Sequence, residues 1–528
     1  MNGAHHAPVP RFLPARLPRL CVPVWATNPA DLAQKADAVV RENPFIEFRL
    51  DYLSKPLLAL PKLKSFVEYH PEALIIITCR RVVNGGRFRG SVASQVEVLA
   101  KASSTGGHLV DLELESAAQL KPADFNRLRR SANLILSFHD FRGTKKLEET
   151  FAKMRQYPAD FFKVVTTANS LYDNVVLMKF LEAHSHEHSL VGNCMGEQGV
   201  MSRVLAVRAG SQFTFAAASV GEETAPGQIA ARTLRETYRI DQVDAATKVY
   251  GVAGDPIAHS LSPAMLNAAF RRENVNAVYL ALHAKTLDDL MACMNDIPIN
   301  GLSVTMPYKE QILKHLDKTD PLTTKIGACN TVVRAQDGKL YGFNTDVAGA
   351  VRPLEMRMRL QGLRVLVLGA GGSARAAVFG LKEKGADVSI LNRTAGPAQK
   401  LAKQARAKAI NRTLLKKLEF DVIINATPVG MEGNRDPLPI SEAEMKARYF
   451  FDMVYTPAET RMVKMARGKG MHVILGSEMF VQQGARQFEI WSGKPAPLLE
   501  MQRVVDFALA QRAAAKNANN HKTKKSHH

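Results

Sequence analysis

No apolar stretch in the sequence approaches the ~18 residues that a membrane-spanning helix needs, so no span is expected. Cysteine is scarce. The five present (Cys21, Cys79, Cys194, Cys293 and Cys329) are odd in number, scattered and without a C-x-x-C spacing. That excludes a disulfide framework and a structural zinc site, and fits a reducing compartment. Acidic residues are outnumbered, 50 Asp and Glu against 70 Lys and Arg, which gives a formal charge of +20. An aromatic-and-basic recognition motif is also missing. The basic residues are spread along the chain, apart from Lys522, Lys524 and Lys525 near its end. Anionic small molecules therefore explain the charge better than nucleic acid does. The first 18 residues lack acids and an apolar signal core, so 1–19 are expected to be a disordered tail, as are 513–528. His184, His186 and His188 have no surrounding carboxylate or cysteine constellation, so they are read as a solvated loop with no metal.

What is present is an ordinary globular composition, 46% hydrophobic and 23% charged. At ~150 residues per domain, 528 residues suggest about three domains. From Leu20 to Arg239, eight short apolar runs alternate with helix-like stretches: LCVPVWA, FIEFRL, ALIIITCR, LVDLELE, LILSFHD, FFKVV, LVGNCMG and FTFAAAS. Such alternation predicts a (β/α)8 barrel over 20–240. Arg49, Arg80, Glu113, His139, Lys163 and Met195, with Arg203 just beyond, fall where these strands end, so one rim would gather them. A lysine in a partly dry barrel mouth among arginines can be neutral often enough to attack a carbonyl, and His139 can move protons near neutrality.

The polar connector 241–248 leads into a second α/β pattern from Val249. At Leu363 a hydrophobic strand runs straight into Gly369-x-Gly371-Gly372-x-Ala374 and a helix, the setting of a dinucleotide site. The next strand ends in Asn392-Arg393-Thr394, where an NAD enzyme usually carries an acid. An arginine there favours a 2′-phosphate, hence NADP.

The pieces IEFRLDYL, TCRRVVNGG, LSFHDF, FFKVV, CMGEQGVMSR, FTFAAAS and TAPGQI together resemble type I 3-dehydroquinate dehydratases. The resemblance implies a Schiff base on Lys163 and proton transfer by His139. Glu47, Arg49, Arg80, Arg203, Thr224 and Gln228 would hold the substrate, with Met195 and Phe215 as apolar walls. Asn84 departs from the family, which carries Glu or Asp there, and so puts the strength of the proton relay in question.

GDPIAHSLSP, GLSVTMPYKE, GACNTVV, GFNTD, INATPVGM, FDMVYTP and EMFVQQGARQF resemble shikimate dehydrogenases over roughly 249–510. This implies proton transfer by Lys309 with Asp346, carboxylate binding by Ser260, Ser262 and Tyr455, and hydroxyl reading by Thr305, Asn330, Asp346 and Gln483. For the cofactor it implies Gly369, Gly371, Gly372, Ser373 and Ala374 at the pyrophosphate and Asn392, Arg393 and Thr394 at the 2′-phosphate. Thr427, Pro428, Gly476 and Met479 would lie near the nicotinamide end. The shikimate-binding domain would comprise 249–346 plus 481–512, its last helix ending near Arg512, and the Rossmann NADP domain 347–480.

The whole is expected to be an α/β enzyme of the shikimate pathway: a barrel followed by a two-domain dehydrogenase, acting on 3-dehydroquinate, 3-dehydroshikimate and shikimate. A quinate-preferring dehydrogenase and a non-catalytic ligand sensor are the alternatives. A cytoplasmic location is expected, with a plastid as the alternative; the oligomeric state is left open, a monomer included.

Overall fold

The computed structural model describes residues 13–257, 260–297 and 299–525, with side chains to 514. Residues 1–12 of the expected N-terminal tail lie outside the described residues. The chain divides into two compact units, Met1–Thr247 with Leu282–Ile297, and Lys248–Ala281 with Pro298–His528.

In the first unit all eight apolar runs become strands: β1 (Leu20–Val24), β2 (Phe45–Arg49), β3 (Leu74–Thr78), β4 (Leu109–Glu113), β5 (Asn133–His139), β6 (Phe161–Thr167), β7 (Leu190–Met195) and β8 (Thr214–Phe215). They form one parallel sheet in the order β7-β6-β5-β4-β3-β2-β1-β8. Runs such as LIIIT in β3 are continuously apolar because helices cover the outside while the barrel fills the inside. β8 is too short to ladder with β7. The seam is closed instead by Gln212 N–H donating to the Leu190 carbonyl at 2.8 Å and by Thr214 Oγ1 donating to Asn193 Oδ1 at 3.0 Å.

Eleven side chains, among them Leu17, Phe45, Ile76, Ile135, Phe161 and Phe213, pack as a cluster in the lower barrel. Leu17 is buried there and Leu13 packs against the same cluster, so both belong to the fold: apolar burial fixes residues that composition alone reads as tail. The HSHEH segment also differs from expectation. His184 closes the helix Asp173–His184, and both His184 and His188 lie against the Phe151 ring; only His186 is exposed. No cluster able to hold a metal ion occurs among the described residues.

The second unit carries two six-stranded sheets. The first has the order β10-β9-β11-β13-β14-β12, with β9 (Lys248–Gly254), β10 (Ala277–His283), β11 (Ile299–Val304), β12 (Lys318–Thr319), β13 (Thr331–Arg334) and β14 (Leu340–Phe343). The second is parallel throughout, in the order β17-β16-β15-β18-β19-β20. Its strands are β15 (Arg364–Leu368), β16 (Asp387–Leu391), β17 (Lys408–Ala409), β18 (Val422–Asn425), β19 (Tyr449–Asp452) and β20 (His472–Ile474). This is the doubly wound order 3-2-1-4-5-6, whose direction reverses between β15 and β18. The long helix Gly476–Ser492 returns the chain, so that Phe480, Val481, Ala485 and Phe488 share a core with Tyr250 and Met265. Met501 and Val505 of the last helix join the same core. That helix runs Leu498–Lys525, beyond its expected end at 512, since the alanine-rich AAAKNANN favours helix.

Candidate active sites

All ten residues expected to serve the barrel chemistry line one pocket of about 530 Å³: Glu47, Arg49, Arg80, His139, Lys163, Met195, Arg203, Phe215, Thr224 and Gln228. Parallel strands bring them together because successive strand ends share one rim. Lys163 does not stand at the end of its strand as expected. It is the third of seven residues in β6, points inward and is 3% exposed.

The immediate neighbours of Lys163 also differ from the expected arginines. Its Nζ lies 2.9 Å from Asp111 Oδ2, 4.0 Å from Glu47 Oε1 and 4.1 Å from the centre of the Phe215 ring. Arg80 and Ser137 donate to the other Asp111 oxygen at 2.9 and 2.6 Å. Burial pushes the Asp111 carboxyl up, but Lys163 and Arg80 outweigh that and hold it far below the usual carboxylate range. Glu113 stands behind Arg80 at 3.4 Å and accepts from Gln95 at 2.6 Å; burial raises its pKa. Arg49 is committed to Asp51 by a buried two-pronged bond of 2.9 and 2.8 Å. Thr78 Oγ1 donates to Glu47 at 2.6 Å and fixes that carboxylate.

Several pocket groups have buried atoms without a partner among the described residues, Asn84 Oδ1 and Asn193 Nδ2 included, and two of them are suited to chemistry. His139 is half-buried, its Nδ1 has no hydrogen-bond partner among the described residues, and desolvation, then Arg80 and Lys163, push its pKa well below 6.5. It is a neutral imidazole at pH 7, able to accept a proton. Arg203, on the helix Val200–Leu205, donates only to the Pro226 carbonyl at 3.3 Å; its Nε has no partner, and burial pushes its pKa down to about 10. A buried guanidinium without a carboxylate is complementary to an anionic substrate group. Asn84 is buried and donates to Glu115 at 2.9 Å, so its amide is bound to a carboxylate beyond the pocket lining.

In the second unit, Lys309 and Asp346 form a 2.6 Å ion pair. Asn330 donates to the other Asp346 oxygen at 2.8 Å, while its own Oδ1 accepts from the Thr345 amide at 2.7 Å and from Thr331 Oγ1 at 2.8 Å. A buried relay connects this group to Tyr279. The Tyr279 hydroxyl donates to Ser303 at 2.5 Å; Ser303 donates to Gln487 at 2.8 Å, and Gln487 donates to the Asn330 carbonyl at 3.3 Å. Ser260 Oγ accepts from the Ser262 amide at 3.2 Å. Thr305 leaves β11 beside Gly254, where a Cβ would lie 2.4 Å from the threonine methyl. Gln483 and Met479 pack on Gly349, close to the helix start that holds Asp346. Tyr455 is stacked on Phe480 at 4.7 Å.

The glycine loop lies at the reversal between β15 and β18, the place where such sheets bind ligands. A Cβ on Gly371 or Gly372 would meet nothing within 4 Å, so the turn into the helix Gly372–Glu383 borders open space; Ser373 follows half-buried and Ala374 is buried. Gly369 turns with φ +111° beside Ala426 and Thr427. The Thr427–Pro428 loop is held by buried Asn425, which accepts from Thr427 Oγ1 at 2.6 Å and donates to Asp452 at 2.9 Å. Asn392 donates to the Thr394 carbonyl and hydroxyl at 2.9 and 3.1 Å, and Arg393 is 78% exposed, 3.6 Å from Asp436. An open glycine turn at a helix N-terminus, with an exposed arginine beyond the next strand, fits a dinucleotide carrying a 2′-phosphate. Gly476 touches the Val454 carbonyl, which only a residue without a side chain permits.

Sequence reasoning missed Asp111, Ser137, Thr78 and Asn193 in the barrel, and Gln487, Ser303, Tyr279, Asn425 and Asp452 in the second unit. A signal existed for Asp111: it stands two residues before Glu113 in LVDLELE, so both face one side of an otherwise apolar strand.

Comparison with known proteins agrees with this division. The family model for type I 3-dehydroquinase matches residues 20–245. Models for the shikimate dehydrogenase substrate binding domain, for shikimate / quinate 5-dehydrogenase and for the shikimate 5'-dehydrogenase C-terminal domain match 252–332, 353–434 and 476–505. The chain is 34% identical over 501 residues to a chloroplastic bifunctional 3-dehydroquinate dehydratase/shikimate dehydrogenase of Arabidopsis thaliana, covering 90% of this chain and 82% of that one. It is 39% identical over 256 residues to a shikimate dehydrogenase (NADP(+)) of Syntrophobacter fumaroxidans, covering 48% of this chain and 89% of the relative. Among solved structures, the dehydroquinate dehydratase and shikimate dehydrogenase from S. pombe aligns over 92% of this chain and 98% of its own, at 26% identity and a TM-score of 0.45.

Proposed function

This chain belongs to the family of bifunctional 3-dehydroquinate dehydratase/shikimate dehydrogenases, and we propose from that premise how its two pockets divide the work. It is a shikimate-pathway enzyme that dehydrates 3-dehydroquinate to 3-dehydroshikimate and reduces 3-dehydroshikimate to shikimate with NADPH. The proposal assigns residues to the steps.

In the barrel, neutral His139 takes the ammonium proton of Lys163, whose Nζ then attacks the substrate ketone; the imidazolium returns that proton as water leaves, and a protonated imine forms. The imine makes the neighbouring C–H acidic, and neutral His139 takes that proton. The electron pair forms the C=C bond as the hydroxyl leaves, and the imidazolium returns its proton to it. Water then cleaves the imine, so the balance is one water lost per substrate. Asp111 and Phe215 hold the lysine, Arg203 takes the substrate carboxylate, and Arg49, Arg80, Glu47, Thr224, Gln228 and Met195 frame the ring. The observation that carries this reading is the open pair: a neutral imidazole and an uncompensated guanidinium in one pocket with a buried lysine.

In the second unit, bound NADPH supplies the hydride. Lys309 delivers the proton to the carbonyl oxygen and Asp346 holds and recharges it. Ser260, Ser262 and Tyr455 take the carboxylate; Thr305, Asn330, Asp346 and Gln483 read the hydroxyls. Gly369, Gly371, Gly372, Ser373 and Ala374 hold the pyrophosphate. Asn392, Arg393 and Thr394 take the 2′-phosphate, and Thr427, Pro428, Gly476 and Met479 border the nicotinamide. The working boundaries are 20–240 for the barrel, 249–346 plus 481–512 for shikimate binding and 347–480 for NADP. A cytoplasmic location is proposed, with a plastid as the alternative; fractionation of the source cells decides between them. No helix among the described residues is long and apolar enough to cross a membrane.

One coupled assay tests the assignment. Purified protein with NADPH receives 3-dehydroquinate or, separately, 3-dehydroshikimate. Oxidation of NADPH with both, with 3-dehydroshikimate forming as the intermediate, is the expected result. Oxidation with 3-dehydroshikimate alone removes the barrel assignment. Oxidation with 3-dehydroquinate and no 3-dehydroshikimate formed makes the second unit a quinate enzyme.

A further inference from the structure

The barrel has a second opening, at the end opposite Lys163. It is a cleft of about 860 Å³ whose lining includes Arg16, Arg19, Ser185, Arg208, Gln212 and Asp244. Arg19 immediately precedes β1, Ser185 lies just before β7 and Gln212 just before β8, so the cleft is at the N-terminal ends of the strands. The apolar cluster of the lower barrel, with Leu17 as its outermost member, separates it from the catalytic pocket. Conserving catalysis does not require such a cleft, because barrel enzymes work at the other face.

Its charge is unusual for a purely structural end. Three guanidinium groups from two separate segments converge there, and none has an ion-pair partner among the described residues. Arg19 donates to the Ser211 carbonyl at 3.3 Å, yet its Nε is buried without an acceptor. Burial, and then the neighbouring Arg16, lower its pKa; Asp241 and Asp244 offset this in part. Those acids are themselves engaged. Asp244 Oδ1 accepts from the Ala246 amide at 3.0 Å and from Thr247 Oγ1 at 2.9 Å, and Asp241 lies 3.8 Å from Arg235. Arg208 spends its Nε on the Thr247 carbonyl at 3.2 Å, and neither terminal nitrogen bonds an acceptor among the described residues. No aromatic ring lines the cleft, so nothing there would stack on a nucleobase.

We propose that this cleft is a binding site for a small phosphoryl-bearing anion, distinct from both catalytic sites, with Arg16, Arg19 and Arg208 as its donors. Guanidinium forks match the paired oxygens of a phosphoryl group, and a cleft without aromatic rings offers a nucleobase nothing to stack on.

Isothermal titration of the full chain with inorganic pyrophosphate tests this. Saturating NADP+ and shikimate are present, so that the cofactor's own pyrophosphate position is filled. Arg16→Ala and Arg19→Gln are titrated beside the wild type. Arg16 is exposed and has no bonded partner, so its loss does not threaten the fold, and retention of both enzyme activities reports on Arg19→Gln. The expected result is wild-type binding that weakens about tenfold or more in each variant, the loss of one charged hydrogen-bonding partner, with both kcat values unchanged. Equal binding by wild type and variants places the anion in the catalytic barrel and overturns the proposal. Absence of binding by the wild type overturns it as well.

Discussion

Asp111 and Lys163 face each other across 2.9 Å on the floor of the barrel pocket, the carboxylate sealed from solvent and the ammonium nearly so. Arg80 shares the same carboxylate. Asp111 therefore fixes where Nζ points and ties the nucleophile to a substrate-binding arginine. Removing one member of a buried ion pair leaves an uncompensated charge, which costs about 3–5 kcal/mol.

Asp111→Asn is expected to lower stability by an amount in that range, read from urea unfolding. The pH dependence has a definite sign. The folded-state pKa of Asp111 is held far below its unfolded value of about 3.8. Its contribution is thus present above pH ~4 and lost as pH falls through the acid range. The variant should show a flatter stability profile below pH 4; an unchanged profile would mean that the pair contributes nothing.

Borohydride reduction in the presence of 3-dehydroquinate is expected to trap substrate on Lys163, seen by mass spectrometry of peptides. Lys163→Gln should show no adduct and no dehydratase activity while still oxidising NADPH with 3-dehydroshikimate. Adduct on another lysine sinks the Schiff-base assignment.

The dehydratase should keep its base at mildly acidic pH. Burial and the charges of Arg80 and Lys163 push the His139 pKa well below 6.5, so the proton-accepting form persists below that pH. The acid limb of the kcat/KM profile is expected below pH 6.5. Arg80→Gln should move it upward, beyond whatever it does to KM. The native state also refuses a proton that the unfolded chain takes near 6.5, so stability falls as pH drops below that value. An acid limb at or above 6.5 in the wild type would falsify this role for the ring.

Restoring an acid at position 84 should not be harmless. Asn84 donates to Glu115 at 2.9 Å, and Asn84→Asp replaces that donor by a like charge. A loss of about 1.5–3 kcal/mol is expected, the worth of a hydrogen bond to a charged group. Adding Glu115→Gln should recover most of it, because the amide can donate to the new carboxylate. A single variant as stable as the wild type shows that the contact is idle.

Arg393 should decide between cofactors. It is largely exposed, with a 3.6 Å contact to Asp436, and so is free for a phosphate. Arg393→Ala is expected to raise the KM for NADPH about 10- to 100-fold and leave that for NADH unchanged. Equal effects on both cofactors would place the 2′-phosphate elsewhere.

Periodicity and motif spacing in the chain determined much of this protein by themselves. The eight apolar runs became the eight barrel strands because strand-and-helix alternation has few compact solutions. Arg49, Arg80, His139, Lys163, Met195 and Arg203 could be grouped before any coordinates because parallel strands share one rim; Glu47, Phe215, Thr224 and Gln228 came from the resemblance alone. Gly369 to Ala374 marked the dinucleotide loop because only a strand running into a helix through glycines exposes amides in that way.

Tertiary structure decided the electrostatics. Whether Lys163 meets arginines or carboxylates depends on which side chains of neighbouring strands point inward at its own level, and Asp111 is 52 residues away in the chain. The Tyr279–Ser303–Gln487–Asn330 relay draws on four segments that no local pattern links. Leu17, the packed HSHEH turn and the arginine cleft also had no periodic signal, because their environments are made by distant residues. Local sequence fixed which elements form and where their ends meet; side-chain pairing at those meeting points, governed by burial and charge in three dimensions, fixed the chemistry available there.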